Sequence, residues 1–180
     1  GPSRIMPARF AMGETAENVA AKYNLNREEQ DAFAATSHDK AARAQAEGRL
    51  ADEIISITTD SGVVSADGCI RPGTTVETLS GLKPAFDENG MVTAGTSSPL
   101  TDGASAVLVC SEAYAEKANL EPLARIKGIA TAGCEPEIMG IGPVGSSKKA
   151  LARAGVGVDD LDVIELNEAF ACQVLAVLKG

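Results

Sequence analysis

The segment from Leu123 to Phe170 constrains the fold more than any other part of the sequence. It reads "LARIKGIATAG", then "GPVGSSKKALARAGV", then "VDDLDVIELNEAF". An apolar run is followed by a glycine-rich turn entering a helix with a basic last turn. A second apolar run follows, flanked by Asp159 and Asp160. Strand–helix–strand implies parallel pairing with a right-handed crossover. One such unit cannot cover both faces of its own sheet, so this reading calls for further strands. Just upstream, "AVLVC" (Ala106–Cys110) reads as a buried strand, and Ser111 caps a helix in "SEAYAEKANL". The pattern predicts an α/β protein.

Composition agrees and removes other classes. Of 180 residues, 44% are hydrophobic but only 3% aromatic, with no Trp, so the core is aliphatic. That length suits one domain of ordinary size or two small ones, and alanine-rich helices beside short Val/Ile runs favour α/β over a sandwich. A net charge of −9 argues against a broad nucleic-acid surface, which needs basic charge to displace counterions. An anionic ligand could still be held by a few local cations. The four cysteines form no CxxC pair and His38 is the only histidine, so no zinc cluster or other metal site is expected. No secretory leader and no apolar run of about 18 residues is visible. The expectation is a soluble protein with reduced thiols, cytoplasmic or organellar, without a membrane partner.

The N-terminal half carries local signals. An irregular lead with Pro2 and Pro7 precedes a helix that Thr15 could cap, reaching about Tyr23. Asn26-Arg27-Glu28-Glu29 fits a capping box, opening a helix from about Arg27 to Glu47 with a stripe of Phe33, Ser37, Ala41 and Ala44 and an end before Gly48. "DEIISI" (Asp52–Ile57) reads as a strand and Asp60-Ser61-Gly62 as a turn. From Val63 to an Asn89-Gly90 turn the chain is broken by Gly68, Pro72, Gly73, Gly81 and Pro84, with a short helix near Val76–Leu82. Long excursions of this kind are uncommon unless they serve a function. "GMVTAG" is a short strand leading into "TSSPLTDGAS".

Three places could carry chemistry. Asn167-Glu168 falls at the carboxyl end of a parallel strand, where α/β sheets hold ligands, although Asn167 could equally be a helix cap. Val92–Ser105 gathers small residues and hydroxyls, which fits a ligand contact through Ser97 or Ser98 or an ordinary loop. "EIMGIGPVGSSKKAL" has a proline that breaks the dinucleotide fingerprint and reads as a tight strand-to-helix turn. A nucleophilic cysteine would need a base. His38 lies in an amphipathic helix away from every cysteine and reads as a surface or helix-packing residue. Cys110 and Cys172 read as core cysteines and Cys134 as more accessible.

Six stretches in one order give the chain a resemblance. They are "MGETAENVA", "REEQDAFAATSHDKAARA", "IRPGTTVETLSGLKPAF", "VTAGTSSPLTDGASAVLV", "MGIGPV" and "ELNEAFACQ". Together they resemble the thiolase family along nearly the whole chain. "VTAGTSS", with Thr96 where many members have Asn, is more similar to the degradative 3-ketoacyl-CoA thiolases than to the biosynthetic acetoacetyl-CoA type.

The resemblance implies acyl transfer through a cysteine thioester, with CoA thioesters as substrates and no permanently bound cofactor. It implies a homo-oligomer in the full-length enzyme and a role in fatty-acid breakdown. The family's N-terminal nucleophile, its Gly-His-Pro histidine and its second cysteine have no counterpart here, so this chain alone is expected to be inactive. A non-catalytic CoA-binding or assembly module is the rival expectation. Residue by residue, Asn167 matches the asparagine that holds an oxyanion-hole water. Ser98 matches a CoA-contacting serine, Arg71 an arginine near the CoA nucleotide, and Thr78 a nearby polar position. Phe86 and Phe170 match apolar positions of the pantetheine channel, and Ala11 stands where some members have a CoA-contacting histidine. The implied organisation is a loop domain over residues 1–100, the end of an N-terminal core domain over 101–122, and the start of a C-terminal core domain over 123–180. Both mixed-sheet core domains are expected to be incomplete.

Overall fold

The computed structural model describes residues 10–180, so the expected irregular lead at Pro2 and Pro7 lies outside the described residues. Two compact units are present. Of the described residues, one comprises 10–99, Cys134–Ile141 and Glu165–Gly180, and the other Leu100–Gly133 and Gly142–Ile164.

The first unit is built on helices. Helix α1 spans Met12–Lys22 and buries Ala16, Val19 and Ala20 on one face. Its start is held by Glu14, whose carboxylate accepts from the Ala11 amide at 2.8 Å. Thr15, expected as the cap, is instead buried inside the first turn and donates to the Met12 carbonyl at 2.7 Å. Helix α2 spans Arg27–Ala46 and opens with the expected capping box. The Asn26 side chain accepts from the Glu29 amide, and Glu29 accepts from the Asn26 amide, both at 2.9 Å. Gly48, at φ +74°, ends the helix region in a conformation that costs glycine little.

The deepest face of α2 is not the expected stripe. Phe33, Ser37, Ala41 and Ala44 are half-buried, whereas Gln30, Asp31 and Ala34 are buried. A buried carboxylate escapes a hydrophobic-periodicity reading because its compensation is ionic. Arg27 Nε reaches both Asp31 oxygens, at 3.0 and 2.8 Å, and its Nη2 donates to the Leu79 carbonyl. That carbonyl belongs to α3, Val76–Ser80, which Thr75 caps by accepting from the Thr78 amide.

Between α2 and α3 lies an exposed antiparallel hairpin, β1 (Ile57–Thr59) with β2 (Gly62–Val64), in the register Ile57↔Val64. The strand expected over Asp52–Ile57 therefore begins at its last residue, and Ala51–Glu53 form a 3₁₀ turn. The expected "GMVTAG" strand reduces to a single bridge, Pro84 with Thr93. Glu17 of α1 fixes this stretch. Its carboxylate accepts from the Met91 amide at 3.0 and 2.9 Å and from the Val92 amide at 2.8 Å.

In the second unit, α4 (Glu112–Lys117) is capped by Ser111 as expected, and α5 spans Gly142–Ala154. Ile129 and Thr131 run alongside α5, their carbonyls accepting from Arg153 and Lys149. A Cβ at Gly128 would stand 2.8 Å from the Ala150 carbonyl, so only glycine permits this approach. The three strands expected here do not form among the described residues. "AVLVC", "LARIKGIATAG" and "DVIEL" are extended but carry no ladder, and Val107, Ile126 and Val163 are 84, 61 and 76% exposed. Strand propensity is local, but a strand exists only through its partner's amides and carbonyls. The last helix, α6, spans Ala171–Lys179, closes the first unit, and joins a core of Ala16, Val19, Ala20, Leu25, Val92, Ile138, Phe170, Cys172 and Ala176.

Replacing Glu17 by Ala leaves two backbone amides without their acceptor. The expected cost is about 3 kcal/mol, read as a lower urea midpoint, with Glu17→Gln losing roughly half as much because an amide oxygen still accepts.

Candidate functional site

The site forms where three loops converge on the start of α6. The first is the turn Ala94–Thr96, which Thr93 organises from a fully buried position. The Thr93 hydroxyl accepts from the Gly95 amide at 3.2 Å, and its carbonyl accepts from the Ser97 hydroxyl at 2.6 Å. A side chain at Gly95 would run into Leu79 and Leu82, so this turn lies directly on α3. Beyond it, the Ser98 amide donates to the Ala169 carbonyl at 2.9 Å, and Ser97 bridges Phe170 in antiparallel fashion. The serine loop is thereby stitched to the Asn-Glu-Ala-Phe loop.

Phe170 is buried, whereas Phe86 is half covered. Their rings meet edge to face at 5.9 Å and 81°, a geometry that adds about 1 kcal/mol to the burial. Behind Phe86 lies Gly13 of α1, where a Cβ would stand only 2.0 to 2.5 Å from ring carbons of Phe86. Asn167 is exposed. It does not cap α6, because that helix begins at Ala171 with Phe170 in the capping position. The capping alternative for Asn167 is thereby removed. The neighbouring Glu168 carboxylate accepts from the Ser37 hydroxyl of α2 at 2.8 Å.

The remaining candidates sit on the Arg71–Ser80 stretch. The Arg71 amide donates to His38 Nδ1 at 3.2 Å, and its carbonyl accepts from Thr74 Oγ1 at 2.7 Å. The Thr78 hydroxyl closes the α3 cap, donating to the Thr75 carbonyl at 2.8 Å. Phe86, Ser98, Asn167 and Phe170 thus share one locus. Thr78 lies on the adjoining helix, and Arg71 is tied to α2. Sequence reasoning passed over two roles, those of Ser37 and His38. The signal available for Ser37 was a hydroxyl in an otherwise apolar stripe; for His38 there was none beyond its being the sole imidazole.

Among the described residues no cluster of His, Cys, Asp and Glu could hold a metal. Cys172 is fully buried, with its thiol 3.4 Å from the Ala16 carbonyl it donates to. Burial pushes the thiol up to about 12, and the Glu17 charge works in the same direction. Cys69 and Cys134 are exposed. So is Cys110, which was expected in the core. The segment carrying it has no sheet to pack against.

Residues 5–113 match the profile of the thiolase N-terminal domain, and residues 120–180 match that of the thiolase C-terminal domain. The chain belongs to the thiolase family. It is 52% identical over 182 residues to a 3-ketoacyl-CoA thiolase of Idiomarina loihiensis, covering 98% of this chain and 47% of that one. It is also 52% identical over 172 residues to an acetyl-CoA acetyltransferase of Paracoccus denitrificans, covering 93% and 44%. Its structure resembles the Bacillus anthracis acetyl-CoA acetyltransferase (TM-score 0.90, 44% identity, 96% of this chain and 45% of that one). The human mitochondrial 3-ketoacyl-CoA thiolase solved in complex with CoA is equally similar (TM-score 0.90, 44% identity, 94% and 43%). The chain thus spans less than half the length of these thiolases. Its α/β architecture is a thiolase fold over the part that it covers.

Three outcomes follow for thiols and packing. Iodoacetamide at neutral pH should modify Cys69, Cys110 and Cys134 and reach Cys172 only after unfolding, as read by peptide mass spectrometry. The Cys172 thiol holds its proton in the folded state above the ordinary thiol value of 9.0. The unfolded chain therefore binds fewer protons between pH 9.0 and about 12, and stability falls as pH rises through that window. Cys172→Ala removes this component of the alkaline loss. Gly13→Ala should displace the Phe86 ring and lower stability by about 1–3 kcal/mol.

Proposed function

We propose that the protein is an acyltransferase of the thiolase type, and that this stretch forms the wall and the oxyanion support of its acyl-CoA site. The observation that carries the reading is the convergence of Ser98, Phe86, Phe170 and Asn167 at the mouth of α6, joined by the Ser98–Ala169 hydrogen bond and the edge-to-face rings. The two rings suit the pantetheine arm. They offer an apolar wall that fixes a flexible chain without requiring hydrogen bonds from it. Ser98 is exposed beside them as a polar contact, and Arg71, also exposed, supplies positive charge for the anionic nucleotide end.

In thiolysis a cysteine thiolate attacks the ketone carbon of a 3-ketoacyl-CoA, the bond between its second and third carbons breaks, and acetyl-CoA leaves after the departing carbanion takes a proton. The thiolate of a second CoA then attacks the acyl-cysteine and releases a shortened acyl-CoA. At each thioester the carbonyl oxygen gains negative charge. Asn167, through a water it holds, donates toward that oxygen. A donor aimed at developing charge contributes about 3 kcal/mol to such a step. The nucleophilic cysteine and the partner histidine are roles that none of the cysteines here, nor His38, fulfils. Thr96 is buried, with its hydroxyl accepting from the Thr93 amide at 3.0 Å. Its presence in place of Asn favours the degradative, 3-ketoacyl-CoA direction.

The test is thiolysis by the complete gene product, followed as loss of the 3-ketoacyl-CoA enolate absorbance. Asn167→Ala should lower kcat about 100-fold, and Ser98→Ala should raise KM for CoA. Faster turnover of medium-chain than of four-carbon 3-ketoacyl-CoA would support the degradative assignment, and the reverse would overturn it. A complete gene product that neither cleaves nor condenses CoA thioesters would sink the acyltransferase reading, and calorimetry with CoA would then decide for or against a binding module.

A further inference from the structure

Two adjacent residues of α2 reach two segments that are far apart in the chain. Ser37 donates its hydroxyl to Glu168 at 2.8 Å, across 131 positions of sequence. His38 accepts the Arg71 amide on Nδ1 at 3.2 Å, across 33. Both partners belong to irregular segments, since neither Asn167-Glu168 nor Arg71 lies in a helix or strand. Backbone hydrogen bonding does not fix them, and a side-chain tie has correspondingly greater influence on their orientation. The residues that make the ties are well fixed themselves. Ser37 and His38 lie mid-way along a helix of 20 residues. That helix is capped at Asn26 and joined to α3 through Arg27 and Asp31.

We propose that Ser37 and His38 are positioning residues that divide the site between them. Ser37, through Glu168, orients the Asn167 peptide at the reacting end. His38, through the Arg71 amide, holds the loop that faces the nucleotide end of CoA. This proposal rests on the acyl-CoA reading above and assigns neither residue a contact with substrate. The chemistry of each tie is specific. Glu168 needs a donor, here the Ser37 hydroxyl, and the Arg71 amide needs an acceptor, here His38 Nδ1. Ties that merely stabilised the fold would change kcat and KM together, in step with melting temperature. Positioning separates them.

The experiment is steady-state thiolysis by the complete gene product, with either CoA or pantetheine as the thiol; pantetheine lacks the nucleotide. Ser37→Ala and Glu168→Ala should each lower kcat about 10- to 100-fold through displacement of Asn167, with KM for CoA nearly unchanged. The double variant should be no worse than either single one, because both remove the same tie. Ser37→Thr restores the hydroxyl and should restore kcat. His38→Leu should raise KM for CoA about tenfold, the effect of one lost hydrogen bond. It should leave kcat and the pantetheine reaction unaltered, and His38→Asn, which keeps an acceptor, should recover most of the loss. Where Ser37→Ala does not fold, Glu168→Ala, at an exposed side chain, carries the same prediction. An active wild type with indifferent variants overturns the positioning proposal alone. So does a loss in His38→Leu that is equal with pantetheine and with CoA. A wild type without thiolysis overturns the acyl-CoA reading, and the proposal with it.

Discussion

The seating of α6 on the core is the contact on which the rest of the site depends. Cys172 and Ala176 turn inward to join Ala16, Val19 and Ala20 of α1 in the core, and small side chains let the helices approach closely. Burying even one Val-sized side chain contributes about 1.5–3 kcal/mol. The helix is therefore held firmly although it is only nine residues long. Its first turn fixes Phe170, and Phe170 fixes the Ala169 carbonyl that receives Ser98. Apolar packing thus decides where the polar loop ends. Without it, the Asn-Glu-Ala-Phe motif would be four residues on a free tether.

Around that core, irregular segments are held by side chains instead of by ladders. Glu17 serves two amides, Thr93 organises its own turn, Arg27, held by Asp31, donates to the Leu79 carbonyl, and Glu168 receives Ser37. A loop without secondary structure leaves amides and carbonyls that must find partners elsewhere. Here side chains of α1 and α2 supply several of them, Glu17 to the Met91 and Val92 amides, His38 to the Arg71 amide and Gln45 to the Asp67 carbonyl. The two helices consequently act as a rack of fixed donors and acceptors, and the functional loops take their shapes from it.

What was legible in the sequence follows from the range of the interactions concerned. Caps at Asn26, Thr75 and Ser111 depend on residues three positions away, and the first and last of these were read directly from the sequence. The stop at Gly48 was equally local. The strands at 106–110, 123–133 and within 158–170 were not realised, because pairing is a relation between segments and these three carry no ladder among the described residues. Cys110 moved from core to surface for the same reason. The buried face of α2 was misjudged because Asp31 is neutralised by Arg27, a compensation that apolar periodicity does not record. The helix-cap alternative for Asn167 fell to one observation, the start of α6 four residues later. The family resemblance carried what local rules could not. It named Ser98, Phe86 and Phe170 together, and these prove to be neighbours.

Gly13 and Phe86 show how such a site constrains its own history. The ring stands where the first carbon of any side chain at position 13 would have to go. The two positions are far apart in sequence, yet the ring at one sets the room available at the other. A lineage cannot reshape this wall by enlarging residue 13 alone. It must first release the aromatic ring, and with it the partner ring of Phe170. Any enlargement at this place therefore has to begin at Phe86, and an engineer seeking more room there would do well to start with that ring.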